Sequence, residues 1–582
     1  MNLHSMTTLN VHRQHAVPRP GVSSQALSSG AFRQRNSSLS ALQQRQSSSC
    51  SRFLLSSLAT AQPIYKTTLK QHGQSRVSVQ AATVEQVTAA PPEQEAADGA
   101  PPFSWTSRWW PALALDDLDP KRPTHVDLLG KSLVVFGDTK GNWHCLEDRC
   151  PHRLAPLSEG RMEGDNLMCS YHGWQFNSQG KCTSIPQIDD PKAHATACNS
   201  PRSCAASYPT KKHAGLLWIW PESSPEAKLT SASAEHQPPD LPHVESPTRS
   251  AWYIREVPIR YDMLLENVMD PSHVPFTHHG IQGNRNKIIN GAYHLVGEMS
   301  PAGYSMARHN VDANGKETPP IGHINFLSPY RALYNFGPMM VEFWAVPTKP
   351  GHSKIMASFP LGVSAARLQA MGVPAPLRLL IGITSKLKKA VPAIDHLERN
   401  AVIDGDTYML HVAERDLYGP QMKGRWQQEY YMPANADTGV VAWRQWFQRF
   451  GQQEPTSQLP APPLLPREQV LDRFNQHTKH CVHCTSALTA IDRTLVAAAA
   501  LCFVAVCTAV SNAIVIACGN AGVAGVTAVS MSAAVPEMAK AAFQPWVVGP
   551  LLLALTMVAL YVGLQKVRAR FIYTDYVHAL RD

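Results

Sequence analysis

Cys150-Pro151-His152, followed sixteen residues later by Cys169-Ser170-Tyr171-His172, sets two thiolates and two imidazoles in two short loops. One use of such a set is a tetrahedral Cys2His2 zinc ion. The other is a [2Fe–2S] cluster with two cysteines on one iron and two histidines on the other, where exchanging anionic thiolate for neutral imidazole raises the reduction potential. Each pair lies in a Pro- or Gly-containing loop, and nearby runs such as Ser132–Phe136 read as strands, with no helix to carry a zinc finger's histidines. That context favours the cluster, and with it electron transfer.

Neither loop has a further cysteine, so the cross-loop disulfide usual in the Rieske subunits of cytochrome complexes is not available. The pattern resembles the oxygenase type of Rieske domain, which needs a second iron open to O2. Asn267-Val-Met-Asp270-Pro-Ser-His273-Val-Pro-Phe-Thr-His278 resembles the mononuclear-iron motif of such oxygenases. Two histidines and one carboxylate form a facial triad that leaves adjacent positions for O2 and substrate. His273 and His278 are the expected pair. Asp270 and His273 share one helical face, whereas a five-residue step to His278 leaves it. Pro275, by removing a backbone donor, can distort the helix and bring His278 round. His279 is an adjacent, chemically equivalent alternative. For the carboxylate, Ala401-Val-Ile-Asp404-Gly-Asp406-Thr-Tyr-Met-Leu410 offers Asp406 first and Asp404 second, against the plainer reading that both cap a helix.

Fifty-three basic and 44 acidic residues give a formal charge of +9, which alone would point to nucleic acid or an anionic surface. Residues 1–84 hold nine Arg or Lys and no acid, which accounts for the whole surplus, so no nucleic-acid partner is expected. Residues 1–82, rich in Ser, Gln and Ala without an apolar core, read as an organellar transit peptide, plastid or mitochondrial, cleaved near Val77–Ala82. Residues 83–102 read as a disordered linker.

Between the ends, 103–225 reads as short strands with turn signals, an all-β cluster domain, and 249–455 as an α+β domain able to enclose a sizeable ligand. Within it, Met339–Trp344 reads as sheet core rather than pocket lining. Residues 467–494 hold His477-Thr-Lys-His480-Cys481-Val-His483-Cys484, which admits a dithiol redox switch, a zinc site or an inert thiol pair. Leu495–Cys518 and Trp546–Gln565 are apolar runs of the roughly 20 residues that cross a bilayer as a helix. Basic residues before the first and after the second predict a hairpin over 495–565, with both ends and the tail 566–582 on the side of the large domain. Two buried core helices are the alternative. Cys502, Cys507 and Cys518 read as packing residues of the first span, while Cys145, Cys182, Cys198 and Cys204 show no pairing from sequence.

Glu147-Asp-Arg-Cys-Pro-His-Arg-Leu-Ala-Pro-Leu-Ser-Glu-Gly-Arg161, Ser200-Pro-Arg-Ser-Cys204, Asp404-Gly-Asp406, Leu471-Asp-Arg-Phe-Asn-Gln-His477 with Cys481-Val-His-Cys484, and Asp575-Tyr-Val-His578 resemble the pheophorbide a oxygenase family of chloroplasts. That family also includes chlorophyllide and protochlorophyllide oxygenases and the Rieske component of the inner-envelope import machinery. The resemblance implies an α+β fold: an all-β Rieske [2Fe–2S] domain, a helix-grip-like catalytic domain and a two-helix transmembrane hairpin. It implies a Rieske cluster on Cys150, His152, Cys169 and His172 and mononuclear non-haem Fe(II) on His273, His278 and Asp406. Asp270 would bridge His172 of one subunit to His273 of the next in a head-to-tail homotrimer.

Ferredoxin is the implied donor, O2 the co-substrate and a chlorophyll-derived tetrapyrrole the substrate. Oxygenolytic ring opening of pheophorbide a comes first and chlorophyllide or protochlorophyllide a oxygenation second. A redox-sensing import subunit, needing only the cluster and the CxxC, is the non-enzymatic alternative. Cys481 and Cys484 would be a redox-regulatory pair addressed by thioredoxin. The implied location is the chloroplast inner envelope or thylakoid membrane with the catalytic domains in the stroma, where the hairpin keeps the active site beside a flat apolar substrate.

Overall fold

The computed structural model describes residues 103–580 except 242–248, 289–290, 313, 337–338, 362–367, 370–371, 461 and 521–538. The expected transit peptide and linker, 1–102, lie outside the described residues.

Strands Thr124–Leu128, Lys131–Gly137, Trp143–Glu147 and Ser207–Tyr208 form one four-stranded antiparallel sheet. A second joins Arg161–Glu163, Asn166–Met168, Gln175–Phe176 and Cys182–Ser184, and a three-stranded sheet joins Trp110–Ala114, Leu216–Ile219 and Thr210–His213. The unbroken apolar run Leu133-Val-Val-Phe136 follows from burial on both faces of its strand. Val134 and Phe136 pack with Leu146, Leu157, Leu167 and Phe176 around Cys150 and Cys169. Leu133 and Val135, pointing the other way, join a larger core with Trp110, Trp218, Tyr261, Trp344, Trp443 and Trp446. The cluster-bearing portion and the following portion therefore share a core.

That following portion is built on a seven-stranded antiparallel sheet. Its order is Tyr253–Val257, Ser353–Ser358, Met339–Pro347, Arg331–Phe336, Gly322–Leu327, Gly303–Asn310 and Gly291–Ser300. The aromatic run Met339–Trp344 is its third strand, with Trp344 buried against Trp218 and Trp252. The helices that matter for the site are α1 (Tyr261–Val268), α2 (Val274–Thr277), α3 (Pro392–Leu417) and α4 (Thr438–Trp446).

Helix α3 inverts the usual amphipathic rule. Asn400, Asp404, Thr407, His411 and Glu414 recur at helical spacing and are all buried, so its inward face is polar. Each needs a partner there. Asn400 Oδ1 accepts from Tyr253 Oη (2.9 Å), His411 Nδ1 donates to the Pro258 carbonyl (2.6 Å), and Glu414 accepts from Arg260 N (2.6 Å). Because α3 starts at Pro392, Asp404 and Asp406 sit mid-helix, and neither caps it.

Two long helices close the chain: α5 (Val482–Asn520) and α6 (Pro545–Ile572) pack on each other. Both are long and apolar enough to cross a membrane, and most of their apolar surface is not buried by the protein, unlike a pair of core helices. α5 begins directly after Cys481 rather than at Leu495. Arg568 pairs with Asp492 across the hairpin at 2.6 Å.

Candidate metal centres

The two Cys-His loops are built alike. In the first, Cys150 N donates to the Ala155 carbonyl (2.8 Å) and Leu154 N donates back to the Cys150 carbonyl (2.8 Å). In the second, Cys169 N donates to Trp174 O (2.8 Å) and Gly173 N to Cys169 O (2.9 Å). The fourth residue after each cysteine, Leu154 (φ 62°) or Gly173 (φ 76°), lies in the left-handed region that closes the turn. Both sulfurs are buried in the cluster core, while the His152 and His172 rings meet edge-on with centroids 4.5 Å apart nearer the surface, and Trp174 stacks on His152 at 4.7 Å. This polarity, thiolates inside and imidazoles at the rim, fits a [2Fe–2S] cluster with its histidine-ligated iron outermost. Leu154 and Tyr171 stand exposed on the same loops.

Below the first loop, Asp148 accepts from Ser158 N and Oγ (2.6 Å each) and from His125 Nδ1 (2.9 Å). Hydrogen bonds to Asp127 and Asp148 raise the His125 pKa to about 9. No motif in the sequence points to this support, because its members are 10 and 23 residues from Asp148 and meet only across strands.

A second group gathers His273, His278 and Asp406. Asp406 Oδ2 lies 3.3 Å from His278 Nε2, Asp406 Oδ1 lies 3.7 Å from His273 Nε2, and one ligand atom from each lies within 4.8 Å of the others. Pro275 does not distort a running helix. α1 has already ended, and Pro275 sits in the first turn of the short α2, where its missing N–H leaves no bond unmade. His273 and His278 are the residues bracketing that turn, which resolves their five-residue spacing. His279 is turned away, its Nδ1 accepting from Arg285 N at 3.1 Å. Asp404 is also elsewhere, held by Arg255 (2.7 Å) and Arg473 (2.6 Å) with all three side chains buried.

The three side chains suit a cation. Asp406 Oδ1 is buried without a hydrogen-bond partner, and a buried carboxylate oxygen with no donor is costly unless a cation satisfies it. Gly405 makes room for the group: a Cβ there would meet His278 Nδ1 and Tyr576 Oη at 3.2 Å. Tyr576 in turn donates to the Thr277 carbonyl (2.7 Å), so the segment after the hairpin braces the histidine turn. A cavity of about 190 Å³, lined by Glu266, Asn267, Asp270, His273, Asp406 and Leu410, opens beside the group. Asp270 Oδ2 stands 3.6 Å from His273 Nδ1, and Ser272 N holds its other oxygen at 2.7 Å. Burial alone would raise the Asp270 pKa, but His273 and the Ser272 donors outweigh it and hold the carboxyl below its ordinary value.

Residues 108–208 match the Rieske [2Fe-2S] domain family, and residues 257–320 match the vanillate O-demethylase oxygenase C-terminal domain family. The chain is 34% identical over 411 residues to "Pheophorbide a oxygenase, chloroplastic" of Oryza sativa subsp. japonica, covering 67% of this chain and 74% of that one. The chain belongs to the Rieske non-haem iron oxygenases, in the branch that contains pheophorbide a oxygenase. Like other members, this Rieske oxygenase uses a [2Fe–2S] cluster and a mononuclear iron. It is also similar to "Protochlorophyllide-dependent translocon component 52, chloroplastic" of Arabidopsis thaliana, at 30% identity over 69% of this chain and 77% of that one. A further relative is "Flavonoid 8-hydroxylase 2, chloroplastic" of Ocimum basilicum, at 32% identity over 70% and 79% respectively.

Of the cysteines without an assigned task, Cys182 and Cys198 of the Rieske oxygenase face each other with sulfurs 3.8 Å apart, and burial pushes the Cys182 thiol up to about 12. Cys145 is buried and Cys204 exposed.

Proposed function

We propose that this Rieske oxygenase opens the macrocycle of pheophorbide a at a chloroplast membrane, drawing electrons from ferredoxin. The observation that carries an enzymatic reading over a purely electron-carrying one is the gathering of His273, His278 and Asp406 beside a cavity. In this reading Cys150, Cys169, His152 and His172 would hold the cluster, and His273, His278 and Asp406 would hold the iron. Bound there, iron would supply O2 activation with electrons passed on from the cluster. The protein's own part is positioning. Met409 and Leu410 present apolar surface to the substrate, the Asp270 carboxylate stands beside His273 Nδ1 at 3.6 Å, and Tyr576 fixes the turn that carries His278.

The cavity of about 190 Å³ is below the roughly 300–1,000 Å³ of pockets that engulf a ligand. In this reading only part of a macrocycle would enter the cavity, with the half-exposed Met409 at its lining. Chloroplast-named relatives and the two apolar helices support membrane placement, and the basic residues flanking the helices are what favour the stromal side for the large domain.

Electron delivery between copies completes the proposal. His172 reaches the surface of one loop and Asp270 is part-exposed beside His273. A head-to-tail trimer would set Asp270 of one copy against His172 of another.

The deciding experiment incubates purified protein with reduced ferredoxin, O2 and, separately, pheophorbide a, chlorophyllide a, protochlorophyllide a and a flavone, with products identified by mass spectrometry. An opened tetrapyrrole carrying added oxygen is expected from pheophorbide a. Turnover of another compound with none of pheophorbide a reassigns the substrate, and no turnover of any with all irons present favours the import-sensor alternative.

A further inference from the structure

Cys481 and Cys484 do not stand as an isolated thiol pair. His477 lies one turn before them, and α3 delivers His396 from eighty residues upstream, onto the same spot. All four side chains are buried, each at most 3% exposed. One donor atom from each lies within 4.8 Å of the others. His477 Nε2 is 3.3 Å from Cys484 Sγ, and His396 Nδ1 is 3.4 Å from Cys481 Sγ and 3.6 Å from Cys484 Sγ. A tetrahedral ion with bonds of about 2.3 Å to sulfur and about 2.0–2.1 Å to nitrogen has sulfur–nitrogen edges of about 3.6 Å. The three observed edges, 3.3, 3.4 and 3.6 Å, fall at or just inside that value.

The surroundings fix the donors for that task. His477 Nδ1 faces the Ile254 carbonyl at 2.6 Å and must donate to it, which leaves the Nε2 lone pair aimed at the sulfurs. Ala393, Leu397, Leu488 and Phe571 form an apolar side of the site, and the Asp117 carboxyl, which accepts from Val482 N at 2.8 Å, stands beside Cys481 on another. Two thiolates and two neutral imidazoles around a divalent ion sum to zero charge, which lowers the cost of burying these groups together.

We propose that His396, His477, Cys481 and Cys484 bind one structural zinc ion. Four protein ligands leave no open position, and the donor set suits zinc. On binding, each cysteine thiol loses its proton to solvent as its sulfur bonds to the metal, with no change of oxidation state. The ion ties the foot of the membrane hairpin to α3. His396 lies ten residues before Asp406 on that helix, about 15 Å along its axis. The site therefore sets the register of the iron-ligating helix against the segment that enters the membrane. Disulfide exchange with an outside dithiol, by contrast, needs an approach path to sulfur that the burial denies.

The test is elemental analysis of the full-length protein purified without chelator or affinity metal. About one zinc per chain beside the iron is expected, and growth with cobalt should give the visible absorption of tetrahedral thiolate-bound Co(II). His396→Ala should lose the zinc and His396→Cys, a Cys3His set, should keep it, with the reduced-cluster EPR signal unchanged in both. The wild-type measurements decide even where a variant fails to fold. Zinc below a tenth of an equivalent, iron in its place, or a Cys481–Cys484 disulfide that forms and is reduced without metal release would overturn the proposal.

Discussion

Asp404 and Asp406 are two residues apart on α3 and serve opposite sides of it. Asp404 is clamped between the Arg255 and Arg473 guanidinium groups at 2.7 and 2.6 Å, while Asp406 reaches His278 Nε2 at 3.3 Å. Two residues turn an α-helix by roughly 200°, so neighbours at this spacing cannot share a task. One carboxylate bridges two buried guanidinium groups, and the other faces the histidine pair.

Replacing each acid should separate those tasks. Asp404→Ala leaves two buried guanidinium groups without their partner and is expected to cost about 3–5 kcal/mol of stability, seen as poor soluble yield or a large fall in Tm. Asp406→Ala should fold with its cluster, drop from about three irons per chain to about two, and lose turnover. Iron loss confined to Asp404→Ala in folded protein would reverse the assignment.

Gly405 tests the packing behind the same group. A methyl there arrives 3.2 Å from both His278 Nδ1 and Tyr576 Oη. Overpacking of this kind costs about 1–3 kcal/mol. Gly405→Ala should lower mononuclear iron occupancy while the cluster's EPR amplitude stays at the wild-type value; full occupancy of both sites would show that the turn yields freely.

Cys169→Ser should abolish the Rieske EPR and visible signals and leave the mononuclear site loadable, since the two sets of ligands sit in separate portions of the chain. A reduced-cluster signal that survives this change would falsify Cys169 as a ligand.

Asp270→Asn is expected to retain both metals and stop turnover. Complementation is the sharper measurement: mixed assemblies of Cys169→Ser and Asp406→Ala chains, each inactive alone, should recover part of the activity. Verified hetero-oligomers that stay dead, or an active monomer, would exclude electron transfer between copies.

The support beneath the Cys150 loop predicts a pH dependence. Hydrogen bonds to Asp127 and Asp148 raise the folded-state pKa of His125 to about 9 from an ordinary 6.5. A raised histidine pKa contributes stability that is fully present below about 6.5 and lost as pH climbs through about 9. Tm measured from pH 6 to 9.5 should fall more for wild type than for His125→Gln. Parallel curves would show that the pair contributes nothing, as solvent screening allows for a half-exposed histidine.

What the sequence determined by itself is local. Cys150–His152 and Cys169–His172 are short-range signals, because each loop is one closed turn whose cysteine and histidine lie within four residues of each other. The apolar runs of α5 and α6 were equally legible, since length and composition alone decide whether a helix suits a bilayer. His273 and His278 were readable as a pair, though not the way they meet: a fresh helical turn bracketed by the two histidines, rather than a bent helix.

Only the tertiary structure decided the rest. Asp404 and Asp406 are chemically identical in sequence, and what distinguishes them is Arg255 on one strand and Arg473 more than two hundred residues away. The buried polar face of α3 carries no apolar periodicity, so its partners had to be seen before it could be recognised as an inward face. His396 belongs to no motif at all. It becomes a neighbour of Cys481 and Cys484 only when α3 packs against the foot of α5, because proximity in space is not encoded by chain separation.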